Sequence, residues 1–140
     1  MDLQEISDRL ELADVLTRYT RAIDTGAWDR LDTVFVPDAE IDYTATGGIA
    51  GSYAVVKPWL AENLPMFPQR LHVLGQVEVQ LDGDDALVAA YFTNPMLLPQ
   101  EGREPLLWEF GGIYHHEMVR TTEGWRSRKL LEELVWKRGV

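Results

Sequence analysis

Three side chains in this chain have types suited to general acid–base work and to holding a developing oxyanion: Asp24, His72 and Tyr43. Asp24 falls in the run Arg21-Ala22-Ile23-Asp24-Thr25-Gly26-Ala27-Trp28, where a helical pattern ends at a glycine. The helix dipole places partial negative charge at that end, so stability alone would prefer Lys or Arg there. A carboxylate in the last turn therefore invites a cationic or proton-donating partner, and His72 is the candidate. Imidazole is the side chain best suited to general acid–base work near neutral pH. An aspartate on its second ring nitrogen would fix the tautomer and raise its basicity. Tyr43 stands on a strand between Asp42 and Thr44. Its hydroxyl could hold a carbonyl or a developing oxyanion in an apolar pocket. Strand pattern by itself also admits plainer roles: His72 as a surface or hydrogen-bonded core histidine, and Tyr43 as a packed ring with its hydroxyl at a rim.

The elements that must position these groups follow from periodicity. Apolar residues at Ile6, Leu10, Ala13, Leu16, Tyr19 and Ile23 recur at helical spacing, predicting a helix from about Leu3 to Asp24 with Gly26 just past its end. Trp28, Leu31, Val34 and Phe35 predict a second, shorter helix stopped by Pro37, and Ala39–Thr46 predicts a first strand. Ser52 is a plausible N-cap for a third helix reaching about Asn63, with Pro58 awkward inside it. From Arg70 the period becomes two. Arg70–Leu81, Ala86–Asn94, Leu106–Thr121 and Trp125–Trp136 predict four long strands. Turns at Asp82-Gly83-Asp84-Asp85 and Thr121-Thr122-Glu123-Gly124 suit hairpins. Between them, Pro95–Pro105 reads as a longer connection carrying Met96, Leu97 and Leu98, as a lid or an oligomer contact would. Helices followed by a run of strands is an α+β layout, a sheet with helices on one face and room for a pocket between.

Adjacent strand residues point to opposite faces, so at most one of His115 and His116 can share a cavity with His72. Gly111-Gly112 marks a bulge or a close backbone approach. A metal site from His72, one of these histidines and Glu117 has no supporting ligand spacing, and none is expected.

Composition bounds the function classes. The chain has 140 residues, 46% hydrophobic and 26% charged, as expected for one folded domain with a real core. A net charge of −10 argues against nucleic acid or an anionic membrane as partner. Basic residues gather near the end (Arg126, Arg128, Lys129, Lys137, Arg138), but Glu132 and Glu133 interrupt them, which reads as a solvated strand face. No apolar run reaches the length of a membrane span. The acidic start is unlike a secretory signal, and cysteine is absent, so a cytoplasmic location is expected. Phosphate-binding loops, dinucleotide glycine fingerprints and nucleophile elbows are all missing.

The order and spacing of these pieces resemble the nuclear transport factor two-like superfamily, in its scytalone dehydratase and SnoaL-like branch. The resemblance rests on the opening helix with Tyr19 and Asp24, on Ala27-Trp28-Asp29-Arg30-Leu31, on Ile41-Asp42-Tyr43, on His72, and on the closing Gly124–Trp136 strand. It implies one SnoaL-like domain over residues 1–140, a cone of curved antiparallel sheet packed on three N-terminal helices in a cystatin-like fold. It further implies a deep pocket lined by Tyr19, Ile23, Trp59, Leu74, Asn94, Phe110 and Tyr114. By resemblance, Asp24 supports His72, His72 abstracts a proton from a ring substrate as a leaving group departs, and Tyr43 polarises a carbonyl, without cofactor or metal. Two positions depart from the dehydratase pattern: Ile23 replaces a second tyrosine, and no histidine falls near Glu109–Gly111. The implied function is a cofactor-independent lyase or isomerase acting on a small hydrophobic molecule. The alternatives are a polyketide cyclase or a non-catalytic binding or oligomerisation module. A homodimer or homotrimer is expected.

Overall fold

The computed structural model describes all 140 residues. The first helix, α1 (Leu3–Thr25), starts where the Asp2 carboxylate accepts a hydrogen bond from Glu5 N at 2.8 Å. Leu12, Val15, Leu16, Tyr19 and Ile23 form its buried stripe. The helix ends at Gly26, whose φ of 70° needs a residue without Cβ. There Ala27 N donates back to Ala22 O at 2.9 Å, which fixes the direction in which the chain leaves.

The expected second helix is a short 3-10 helix, Trp28–Thr33, and β1 (Phe35–Asp42) begins earlier than periodicity suggested. Phe35 is already paired with Ser127 in the closing strand. Pro37 lies in the irregular stretch between Phe35 and Glu40, where its missing N–H removes no ladder bond. A short strand β2 (Ala50–Ser52) leads into α2 (Tyr53–Asn63). Ser52 occupies the N-cap position without a side-chain cap, because it is still held in the β2 ladder opposite Glu40.

Five further strands follow: β3 (Gln69–Arg70), β4 (Val73–Asp82), β5 (Asp85–Gln100), β6 (Arg103–Thr121) and β7 (Gly124–Arg138). The sheet order is β2-β1-β7-β6-β5-β3, with β4 also on β5. The layout is α+β, with helices packed on a curved sheet. The sheet is mixed rather than wholly antiparallel, because β1 runs parallel to β7. A parallel pair needs a long crossover, and the whole of the chain between them provides it.

Two further expectations are corrected. The long connection at Pro95–Pro105 does not exist: β5 and β6 continue through it and close in a two-residue turn at Glu101-Gly102. Pro95 is tolerated because it sits in the gap between β4, last paired at Thr93, and β3, first paired at Met96. Met96 is consequently buried rather than displayed on a lid. The single strand expected at Arg70–Leu81 is broken around His72 and carries an extra residue between Leu74 and Val77. That bulge reverses the inward parity. His72 and Leu74 face in while Leu71 and Val73 are exposed; beyond it, Val79 and Leu81 turn in. At Gly111-Gly112 the expected irregularity is present as a register shift against β7. A Cβ at Gly111 would collide with the Trp136 indole, and one at Gly112 with the Glu133 carbonyl.

At the far end of α1, Arg120 clamps Asp8 through two hydrogen bonds of 2.6 and 2.9 Å, and the Trp125 indole donates to the same carboxylate at 3.1 Å. The Arg120 guanidinium holds the Asp8 carboxyl well below the usual carboxylate range. A depressed folded-state value stabilises the fold above the unfolded value of about 4, and that contribution drains away as pH falls below it. Asp8→Asn is therefore expected to lower the Tm at pH 7 by about 3–6 °C and to leave less further loss on acidification below about pH 4. Thermal melts of both proteins from pH 3 to 7 check this; parallel curves would show that the charge contributes nothing.

Candidate active site

The C-terminal turn of α1 meets the break between β3 and β4, and this junction makes the site. Asp24 uses both carboxylate oxygens on one residue: Oδ2 accepts from His72 N at 2.8 Å, and Oδ1 is 2.6 Å from His72 Nδ1. The His72 side chain is 4% exposed and that of Asp24 12% exposed, so water competes little for the contact. With Nδ1 donating to Asp24, Nε2 is left as the free lone pair of the ring. His72 lines a cavity of about 230 Å³ between the sheet and the helices.

The helix end that made Asp24 look misplaced is neutralised by a residue that periodicity did not single out. Arg70 Nε donates to Ile23 O at 2.8 Å, and Arg70 Nη1 to Phe67 O at 2.9 Å and Leu64 O at 3.4 Å. Its guanidinium also lies 5.6 Å from the Trp28 ring centroid. Arg70 thus ties the last turn of α1 to the segment entering β3, two residues before His72. The only hint in the sequence is a lone Arg beside the histidine.

Tyr43 is buried at the start of the turn after β1, and its hydroxyl lies 2.5 Å from that of Tyr19 on α1. Tyr114 of β6 meets Tyr19 edge-on at 5.3 Å between centroids. Burial pushes all three phenols up, so they remain neutral hydroxyls at the cavity wall. Tyr19, Ile23, Trp59, Asn94, Phe110 and Tyr114 line the cavity. Leu74 does not. Its strand partner Phe92 stacks on Tyr114 at 4.0 Å, closing that end, and Leu74 packs against the core below it.

Neither of the paired histidines reaches the cavity. His116 points inward but lies deeper, with Nδ1 2.8 Å from Ser127 Oγ; burial lowers its value to about 3, so it stays neutral. His115 faces outward and pairs with Glu133 at 2.7 Å. No three His, Asp or Glu side chains converge in a group able to hold a metal ion.

Glu132 is the lining residue that strand reading misplaced. It was assigned to a solvated face, yet it is 6% exposed. Thr46 Oγ1 donates to its Oε1 at 2.6 Å. Burial pushes its carboxyl up to about 7, against the opposing hydrogen bonds from Thr46 and Tyr114 and with a small upward push from Asp42. A signal was present: Leu130 and Leu134 flank Glu132 at i±2, which puts all three on one face. Met96, from the stretch read as a loop, and Trp108, from the strand expected at Leu106–Thr121, also line the cavity.

Residues 4–130 match the SnoaL-like domain family. The chain is 43% identical over 133 residues to the uncharacterized protein Rv2910c of Mycobacterium tuberculosis, covering 94% of this chain and 88% of that one. It is 27% identical over 130 residues to the probable cyclase FGR4 of Gibberella zeae, covering 86% and 87%. Among solved structures, the Kfla4162 protein of Kribbella flavida superposes with a TM-score of 0.88 at 25% identity over 96% of this chain and 95% of that one. Hexachlorocyclohexane dehydrochlorinase LinA-type3 of Novosphingobium barchaimii gives 0.82 at 18%, over 100% and 94%. A scytalone-dehydratase-like protein of Novosphingobium aromaticivorans gives 0.83 at 14%, over 97% and 89%. The last two likenesses establish the cone-shaped, cystatin-like fold.

If Arg70 ties the junction together, Arg70→Met should lower the unfolding free energy by about 2–3 kcal/mol, the worth of its charge-assisted hydrogen bonds. Urea denaturation checks this. A loss under about 0.5 kcal/mol would mean the guanidinium is a bystander.

Proposed function

The chain belongs to the SnoaL-like family, and from that premise we propose that it is a cofactor-independent lyase or isomerase that removes a proton from carbon in a small, largely apolar and cyclic molecule. The observation that carries the reading is the 2.6 Å contact between Asp24 Oδ1 and His72 Nδ1, on a histidine that lines a mostly apolar cavity. His72 Nε2 is the general base. It takes a proton from a carbon beside a carbonyl or leaving group, and Asp24 stabilises the imidazolium that forms while holding the ring in place. Tyr43, paired with Tyr19, donates to the substrate oxygen as negative charge builds there. The largely apolar lining strengthens each of these interactions, and the cavity's size suits one small molecule.

The folds of a dehydrochlorinase and a scytalone-dehydratase-like protein support this class, since both names imply elimination from a small ring. The match to a probable cyclase favours a second reading, polyketide ring closure. There the same base would generate a carbanion that attacks a carbonyl of the same molecule. The small cavity favours elimination or isomerisation over folding a long chain.

His72→Ala and Asp24→Asn are each expected to cut turnover by at least about 100-fold while leaving the circular dichroism spectrum and Tm near wild type. Turnover is followed by chromatography on hydroxylated and chlorinated cyclic ketones. Turnover by His72→Ala equal to wild type would sink the mechanism.

A further inference from the structure

The cavity has a second titratable wall. Glu132 on β7 lies two strands from β5, and His72 lies in the break between the β3 and β4 strands on the far side of β5, so the two groups reach the same space from opposite halves of one sheet face. No Lys or Arg lines that space. Every group facing Glu132 is neutral or acidic: Thr46 beyond β1, Tyr43 and Asp42 at the end of β1, Tyr114 on β6, and Tyr19 on α1. Thr46 Oγ1 lies 2.6 Å from Glu132 Oε1, which fixes one oxygen of the carboxyl in the wall. Two further polar atoms on lining residues, Asn94 Oδ1 and Trp108 Nε1, are buried without a partner in the chain. Such atoms need a ligand that can donate to one and accept from the other, as a hydroxylated carbonyl compound can.

We propose that Glu132 is the proton donor of this site, delivering its carboxyl proton to a departing hydroxyl, and that the substrate class is a β-hydroxy carbonyl compound that loses water. The inference rests on the reading of His72 as base. His72 Nε2 takes the proton from the carbon beside the carbonyl, the C–H pair forms the C=C bond, and the C–O bond breaks. The oxygen leaves with the Glu132 proton as water. The imidazolium then returns its proton through solvent to the Glu132 carboxylate, so the net change is substrate to enone plus water. A halide would leave as an anion and need no proton; it would want a cation, and the walls supply none. A hydroxyl needs an acid that is still protonated near neutral pH, and a buried carboxyl pushed up to about 7 is one.

The test compares 3-hydroxycyclohexanone with 3-chlorocyclohexanone in wild type, Glu132→Gln and His72→Gln. Glutamine keeps the shape and the bond from Thr46 but cannot supply an acid proton. Glu132→Gln should lower kcat for the hydroxy ketone by at least about 100-fold and for the chloro ketone by less than about tenfold. It should also abolish the fall in hydroxy-ketone rate that wild type shows above about pH 7. His72→Gln should lose both reactions. If Glu132→Gln alters neither reaction, or both equally, the acid role is overturned while the base stands. If wild type acts on neither ketone, or His72→Gln retains both activities, the base reading falls and this inference with it. Carbon-13 NMR of the wild-type glutamates decides the case where Glu132→Gln does not fold: a Glu132 carboxyl titrating in the ordinary carboxylate range overturns the proposal, and one titrating near neutrality supports it.

Discussion

One carboxylate holds the site together. Asp24 gives one oxygen to the backbone of His72 and the other to its ring, so a single side chain sets both where β4 begins and how the imidazole is turned. That contact requires the C-terminal turn of α1 to sit against the β3–β4 break, an arrangement the helix dipole opposes. Arg70 removes the opposition by capping Ile23 O and bonding two carbonyls of the incoming segment. The glycine stop at Gly26 then turns the chain away before the acid can be solvated.

The rest of the cavity is organised by what it lacks. Its wall holds no cation, so each acidic group near it has only two ways to stay: paired with the imidazole, as Asp24 is, or protonated, as burial drives Glu132 to be. Of the two carboxyl groups here, Asp24 is held by His72, and burial pushes that of Glu132 up to about 7. The buried phenols of Tyr19, Tyr43 and Tyr114 stand near Glu132 as neutral hydroxyls, which adds donors without adding charge. A mostly apolar cavity with an imidazole, a raised carboxyl and several neutral hydroxyls is poorly suited to stabilising free ions.

The fold serves many chemistries in proteins that share it, and the cone alone does not choose among them. The choice lies in the few polar groups that break the apolar lining. In this chain they come from places far apart in sequence: α1, the turn after β1, the end of α2, the β3–β4 break, β5, β6 and the second half of β7. The β4 bulge matters because it lets His72 face inward at the start of a strand whose later inward residues, Val79 and Leu81, have the opposite parity.

Much of this was legible in the chain itself. Helical spacing and Gly26 marked α1 and its end, alternation marked the long strands, and Gly111-Gly112 announced a close approach. These are local properties, set by backbone sterics and the solubility of one face. Asp24 was conspicuous because it contradicted its local setting. The misreadings came where tertiary pairing overrode local cues. Pro37 and Pro95 looked like breaks but fell at gaps in the ladder. Glu132 looked solvated beside its charged neighbours, yet register turned it inward with Leu130 and Leu134. Residue types and periods therefore determined which groups could do chemistry and on which elements they stood. Only the folded sheet decided which of them share one dry space. That depends on strand register and a single extra residue in β4, and hence on contacts between residues dozens of positions apart.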